Sequence, residues 1–392
     1  MKLLHTADWH AGRTLHGQER TSEIRAALRE IAELAKTEAV DLILVAGDVY
    51  DSHNPSAEAE AAVYEFFLET GRAGIPSVVI AGNHDSPSRL DAVSRLLKLS
   101  QVQVVGHPKV AGQGGVFELS LGGETARVAA LPFVSERRIV KVGELLGADP
   151  GAWLAKYQEG MRRLVANVTE GFSSDAVNLL LLHATMDGAT LSQSEYTFHC
   201  TDSYALAPDL FPERANYVAL GHIHKSQSVQ NYPEHAGRYA GSILQLDFGE
   251  SGDDKVVYLL EARPGRPTET LRAHKLSAGK RLQRVTVEEA DLERRLLELE
   301  GFGGWLKLNL RLARPRPGLK DRVKSQHPNV LVVETELQSA PEAPEEALVT
   351  GPSIDLLDAY ARYALERRGQ PLDEALRAAF RDLHAEPEEA SA

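Results

Sequence analysis

Five short apolar runs in this chain each give way to a residue that can bind a metal ion. The first, 3–7, ends in Asp8-Trp9-His10, and the second, 42–46, in Gly47-Asp48. The third, 77–81, ends in Gly82-Asn83-His84-Asp85. The fourth, 179–182, ends in His183, and the fifth, 217–220, in Gly221-His222-Ile223-His224. Apolar runs this short, bounded by Gly, Asp or His, read as buried strands. Helical spacing fills several intervals: Ile24, Leu28, Ile31 and Leu34 share a face within 21–36, as do Val63, Phe66 and Phe67 within 57–70. The alternation predicts an α/β sandwich, with 102–105, 116–119 and 127–130 as further strands. In such a sheet the loops after the carboxyl ends of strands share one edge. Residues far apart in sequence therefore converge there, and the glycines let the backbone turn sharply beside an ion or phosphate.

Asp, His and Asn without thiolate suit divalent metals of the Mn, Fe or Zn type. So many ligands point to a two-metal site, whose ions sit about 3.5–4 Å apart and clamp the attacking and leaving oxygens of phosphoryl transfer. That chemistry predicts a metal-dependent phosphoesterase. One carboxylate must bridge the ions, and Asp48 is the candidate. Asp51 and Asp85 read as supports for the loops. His5, His53, His107, His199 and His327 lack companions and read as structural or surface residues.

Cys200 is the only cysteine, which excludes an intramolecular disulfide and a cysteine-rich zinc site. A reducing, cytoplasmic setting is expected. No run of about 18 apolar residues exists, so no membrane partner is expected, and the N-terminus does not resemble a signal peptide. The net charge of −13 argues against broad coating of nucleic acid. Its distribution weakens that objection, because residues 341–392 hold 12 acidic and 5 basic side chains, a net of −7.

The composition turns charged and Pro/Gly-rich at 252–267, and a smaller unit follows. It reads as strand 282–287, helix 288–300, strand 306–312, helix 318–325 and strand 330–335. Residues 339–352, with three prolines, read as a linker. Two short amphipathic helices come next, with Ile354, Leu357, Ala361 and Leu365 on one face and Leu372, Leu376, Ala379, Phe380 and Leu383 on the other helix. Helices of this kind dock on a partner or pack back on the main body.

The words DxH, GDxxD, GNHD, a lone His and GHxH, in that order, resemble the calcineurin-like metallophosphoesterase superfamily. DWHAGRTLHGQER, AGNHDSPSRL, GHIHKSQ and YAGSILQLDFGE resemble its SbcD-like nuclease branch. The resemblance implies a four-layer β-sandwich flanked by helices over 1–265 and an α+β capping domain over 266–338. Linker 339–352 and C-terminal helices 353–386 complete it. It implies that Asp8, His10 and His224 hold one metal, that Asp48 bridges, and that Asn83, His183 and His222 hold the second. It further implies that His84 acts on the phosphate and leaving group and that the metal is Mn²⁺.

The implied activity is 3′→5′ exonuclease action on double-stranded DNA with endonucleolytic opening of hairpins, in DNA repair and recombination. The implied partners are a coiled-coil ATPase of the SbcC type, bound by 353–386, and a second copy of the chain through 57–70 or 91–99. The protein would be nucleoid-associated when on DNA. No GxxxxGK[ST] word occurs, so ATP binding falls to the partner. Arg13, His16, Arg20 and Arg89 flank the metal loops and are the expected phosphate contacts. Arg311, Arg314, Arg316, Lys320, Arg322 and Lys324 form either a DNA border or a solvated basic face. A phosphoesterase for a phosphoprotein, cyclic nucleotide or small molecule, and a non-catalytic scaffold, are the competing readings.

Overall fold

Strand β1 (Lys2–Thr6) lies between β4 (Leu42–Val45) and β13 (Val256–Glu261) at the middle of a six-stranded sheet. A computed structural model describes this arrangement for residues 1–135, 150–192, 195, 205–230 and 237–337, and for 374 and 376–378. The sheet order is β14-β13-β1-β4-β5-β6, where β5 is Ser77–Ile80, β6 is Val102–Val105 and β14 is Glu269–Lys275. Strands β1, β4, β5 and β6 are parallel, while β13 and β14 run antiparallel as an edge hairpin; β2 (Thr14–Leu15) and β3 (Gln18–Glu19) form a separate two-stranded hairpin. The runs Leu42–Val45 and Ser77–Ile80 are buried along their whole length, as parallel strands covered on both faces must be.

A second six-stranded sheet has the order β11-β12-β10-β9-β8-β7. Its strands are β7 (Val116–Leu121), β8 (Glu124–Leu131), β9 (Val177–His183), β10 (Tyr217–Gly221), β11 (Gln227–Ser228) and β12 (Gly237–Tyr239). Strands β8, β9, β10 and β12 are parallel. The two sheets share one apolar core, in which Leu3, Leu44 and Ile80 of the first and Val128, Leu181 and Ala219 of the second are all buried. Helices α1 (Thr21–Thr37), α2 (Ala57–Arg72) and α3 (Pro87–Leu97) cover the outer face of the first sheet. Helix α4 (Pro150–Thr169) covers that of the second. The result is the expected α/β four-layer sandwich.

Local signals explain the helix starts. Ser56 caps α2 by accepting from the Ala59 amide at 3.2 Å, and Pro87 opens α3 where its missing N–H costs nothing. Trp9 is buried completely, with its ring 5.0 Å from that of Phe66 and 5.6 Å from that of Phe67 on α2. This packing clamps the loop between Asp8 and His10 onto the helix layer.

The smaller unit is a parallel sheet of β15 (Leu282–Glu288), β16 (Trp305–Leu312) and β17 (Val330–Leu337), with α5 (Leu292–Leu299) and α6 (Leu319–Gln326) on one face. The boundary expected at residue 265 needs correction. It falls inside the β13–β14 hairpin, and antiparallel pairing ties Glu269–Lys275 to the first sheet. The charged stretch read there as a composition break contains β13, a neighbour of the central strand. The chain divides into two units, Met1–Leu337 and Gln338–Ala392. The expected linker 339–352 lies outside the described residues, and so does nearly all of the expected helical tail 353–386. Among the described residues no helix is long and apolar enough to cross a membrane.

Candidate metal centre

The parallel strands deliver their carboxyl ends to one edge of the sandwich, and the site forms there. Asp8 and His10 follow β1, Asp48 follows β4, Asn83 and His84 follow β5, His183 ends β9, and His222 and His224 follow β10. Three overlapping groups have donor atoms within 4.8 Å of one another: Asp8, His10 and His224; His10, Asp48 and His84; Asp48, His183 and His222. Every expected metal-site residue among the acids and histidines is therefore brought together. Asn83 joins them, with Oδ1 3.1 Å from His183 Nε2 and 2.7 Å from His222 Nδ1.

Asp48 stands between the groups. Its Oδ2 is 3.6 Å from His10 Nε2 and 3.4 Å from His183 Nε2, while its Oδ1 accepts the His84 amide at 2.8 Å. Asp8 Oδ1 accepts the His222 amide at 2.9 Å. Its Oδ2 is buried with no hydrogen-bond partner among the described residues. An orphaned buried carboxylate oxygen is costly, and a cation relieves that cost. Donor chemistry and geometry both fit divalent ions.

The backbone is forced to make the site. Asp8, His10, Asp48 and His222 all have positive φ, between 46° and 95°, a conformation that non-glycine residues adopt only when the surroundings impose it. Gly82 must lack a side chain, because a Cβ there would collide with the Asp48 carboxylate and amide.

Electrostatics follow from this crowding. Burial pushes the Asp8 carboxyl up to about 7. Burial would also raise Asp48, but His183 and the other imidazoles hold it well below the usual carboxylate range. Burial lowers His10 to about 4, so its ring is neutral at pH 7. His183 is buried as well, yet the Asp48 carboxylate overrides burial and raises it to about 9.

Carboxylates and carbonyls orient the rings. His10 Nδ1 is 3.0 Å from Asp51 Oδ1, which also accepts from Arg13 at 3.2 Å. His183 Nδ1 is 2.7 Å from the Ala46 carbonyl. His84 Nδ1 is 3.0 Å from the Asp51 carbonyl, and its ring lies edge-on to His10 at 4.8 Å. The Asp85 carboxylate accepts the Val49, Tyr50 and Gly82 amides, which ties the loops after β4 and β5 together. Sequence reasoning missed Glu195 and Glu250. Glu195 accepts the His224 amide at 3.0 Å, and Glu250 Oε1 lies 3.3 Å from His224 Nδ1. Only the unbroken word LDFGE around Glu250 offered a signal, and it gave no partner.

The expected phosphate contacts separate. His16 is exposed with its ring 5.8 Å from that of Phe248, and Arg13 is half-buried beside Asp51. Arg89 is 40% exposed and bonds Glu60 at 3.1 Å and Asn54 at 2.8 Å. Arg20 is corrected: it is 1% exposed, and its guanidinium is committed to the Gln245 carbonyl and the Glu23 carboxylate, so it cannot reach DNA. In the smaller unit Arg311, Arg316 and Arg322 pair with acidic neighbours. His5 is buried 2.9 Å from the Tyr217 hydroxyl, and His107 pairs with Asp91. His199 lies outside the described residues.

A family model described as calcineurin-like phosphoesterase matches residues 1–226. The chain is 32% identical to the SbcD component of the SbcCD nuclease of Bacillus subtilis (strain 168) over 400 residues, covering 100% of both chains. It is 36% identical to the SbcD component of the Rhodobacter capsulatus nuclease over 279 residues, 68% of this chain and 67% of that protein. The corresponding SbcD protein of Escherichia coli (strain K12) is 30% identical over 282 residues, 68% of this chain and 66% of that protein.

Proposed function

This chain belongs to the SbcD family of calcineurin-like phosphoesterases, and from that membership and the site we infer a metal-dependent nuclease that hydrolyses phosphodiester bonds of double-stranded DNA. The observation that carries the reading is Asp48 Oδ2, which faces His10 and His183 of two different ligand groups at 3.6 and 3.4 Å. A carboxylate oxygen so placed is suited to bridge two ions.

Asp8, His10 and His224 would hold one divalent ion, Asn83, His183 and His222 the other, and Asp48 both. When bound, such ions acidify a water and neutralise phosphate charge. Mn²⁺ is the proposed metal. The chain's own groups supply the rest. His84 is not assigned as a ligand. Its Nδ1 proton is directed to the Asp51 carbonyl, so Nε2 is the atom turned to the substrate, and the ring gives a proton from Nε2 to the leaving oxygen when it carries a second one as imidazolium. Arg13, His16 and Arg89 are the proposed phosphate contacts.

The same reading extends to 3′→5′ exonuclease polarity and hairpin opening in DNA repair and recombination, and to a nuclease domain that runs through Lys275 by the hairpin pairing, with the smaller unit after it acting as a cap. The partners proposed are an ATPase of the SbcC type, bound through 353–386, and a second copy of the chain. Leu68, Leu96 and Leu99, 44%, 69% and 85% exposed beside α2 and α3, fit the latter. The proposed location is the cytoplasm, nucleoid-associated on DNA. Digestion of end-labelled duplex DNA with Mn²⁺ tests the reading, alongside an aryl phosphomonoester. Duplex degradation abolished by chelator is expected. Turnover of the monoester with intact DNA would overturn it.

A further inference from the structure

Glu250 lies 26 residues beyond His224, yet its carboxylate is buried completely against that ring. Oε1 is 3.3 Å from His224 Nδ1. Oε2 pairs with Lys255 Nζ at 2.5 Å and accepts from Ser242 Oγ at 3.2 Å and the Leu246 amide at 3.0 Å. Lys255 Nζ turns back to the His224 carbonyl at 3.0 Å and Ser242 Oγ at 2.9 Å. The pair thus grips His224 at its ring and at its backbone. A charged pair without solvent is retained at a cost in desolvation, and replacing it by apolar groups would leave the ring free to rotate.

We propose that Glu250, itself held by Lys255, is a positioning residue that fixes His224 with its proton on Nδ1 and presents Nε2 to the metal centre. The inference rests on the reading of Asp8, His10 and His224 as ligands of one ion. A carboxylate on the far nitrogen of a metal-binding imidazole sets its tautomer and raises its basicity. Asp51 does the same for His10 at 3.0 Å. The two rings on this ion are therefore each backed by a carboxylate, whereas His183 is backed by the Ala46 carbonyl. The charge behind the rings makes the two ion positions unequal.

Two measurements test this. The first is long-range ¹H–¹⁵N NMR of the metal-free wild-type protein labelled at histidine, at alkaline pH where imidazoles are neutral. His224 protonated at Nδ1 is expected, and the Nε2–H tautomer overturns the proposal without any variant. The second is Mn²⁺ titration of wild type and Glu250→Gln by calorimetry and electron paramagnetic resonance, with circular dichroism to show that the variant is folded. One binding event should weaken by about 10–100-fold while the other stays unchanged, and the spin-coupled signal of the ion pair should be lost. Equal weakening of both events, or of neither, overturns the proposal. Wild type that binds no Mn²⁺ would instead overturn the metal-centre reading beneath it.

Discussion

His10 and His224 face each other Nε2 to Nε2 across 3.1 Å, inside a site that buries both rings. Each ring has a carboxylate at its other nitrogen, Asp51 for His10 and Glu250 for His224. A neutral imidazole carries one N–H, and a carboxylate only accepts. Both Nδ1 atoms therefore carry a proton, and Nε2 of the neutral His10 ring presents a lone pair to His224, whose protonated form Glu250 and Asp8 favour against the effect of burial. The space between the two Nε2 atoms thus takes either a proton on His224 or a metal ion that replaces it. Asp8, with one buried carboxylate oxygen lacking a partner, completes the same demand.

Replacing His84 should separate chemistry from metal binding. His84→Ala is expected to lower duplex cleavage by about 10²–10⁴-fold, the range for a lost general acid, while two Mn²⁺ ions still bind. Cleavage rates and calorimetric stoichiometry on one preparation check it. Loss of an ion would show His84 to be a ligand instead.

Metal binding should release protons. In the metal-free site burial holds Asp8 up at about 7, and Asp48 holds His183 at about 9 against the effect of burial. Both groups must be deprotonated to act as ligands. A proton lost on binding makes affinity rise with pH and fall as pH drops, here through the interval from about 9 to about 7 and below. Calorimetry in buffers of different ionisation enthalpy measures the release directly. Uptake of protons, or none, would contradict the assignment.

Gly82→Ala should damage both ion positions at once. The added Cβ would strike the carboxylate and amide of Asp48, so the loop or the carboxylate must shift. Overpacking of this kind costs about 1–3 kcal/mol of stability. Because Asp48 faces both ligand groups, the two Mn²⁺ affinities should fall together, and titration with thermal denaturation reads both effects.

How much of this was visible beforehand depends on what each residue had to reveal. The convergence of Asp8, Asp48, Asn83, His183 and His222 was legible because parallel strands must end at a common edge, and each run gives way to a side chain able to bind a metal. The two-sheet sandwich was legible from buried runs such as 42–45. Strand β13 was not, because the charged residues around it masked a five-residue apolar run that pairs with β1. Glu250 was invisible for another reason: its contact with His224 is tertiary, made by a turn that no periodicity announces. Arg20 misled because an arginine beside a metal loop looks like a phosphate contact until its burial is known.

Arg20 and Arg89 should now behave oppositely. Arg20→Ala removes a buried guanidinium from a partly buried ion pair and from the Gln245 carbonyl, and should lower thermal stability without changing the salt dependence of DNA binding. Arg89 makes exposed ion pairs worth about 0–1 kcal/mol. Arg89→Ala should leave stability intact and reduce the salt slope of duplex binding by about 1. Binding isotherms across a salt series, paired with melting curves, distinguish the two.

The central claim is that two ions share Asp48. Anomalous diffraction at the manganese edge from Mn²⁺-loaded crystals measures this most directly. Two peaks are predicted, one enclosed by Asp8, His10 and His224, the other by Asn83, His183 and His222, both in contact with the Asp48 carboxylate. A single peak, or two peaks of which only one touches Asp48, would contradict it.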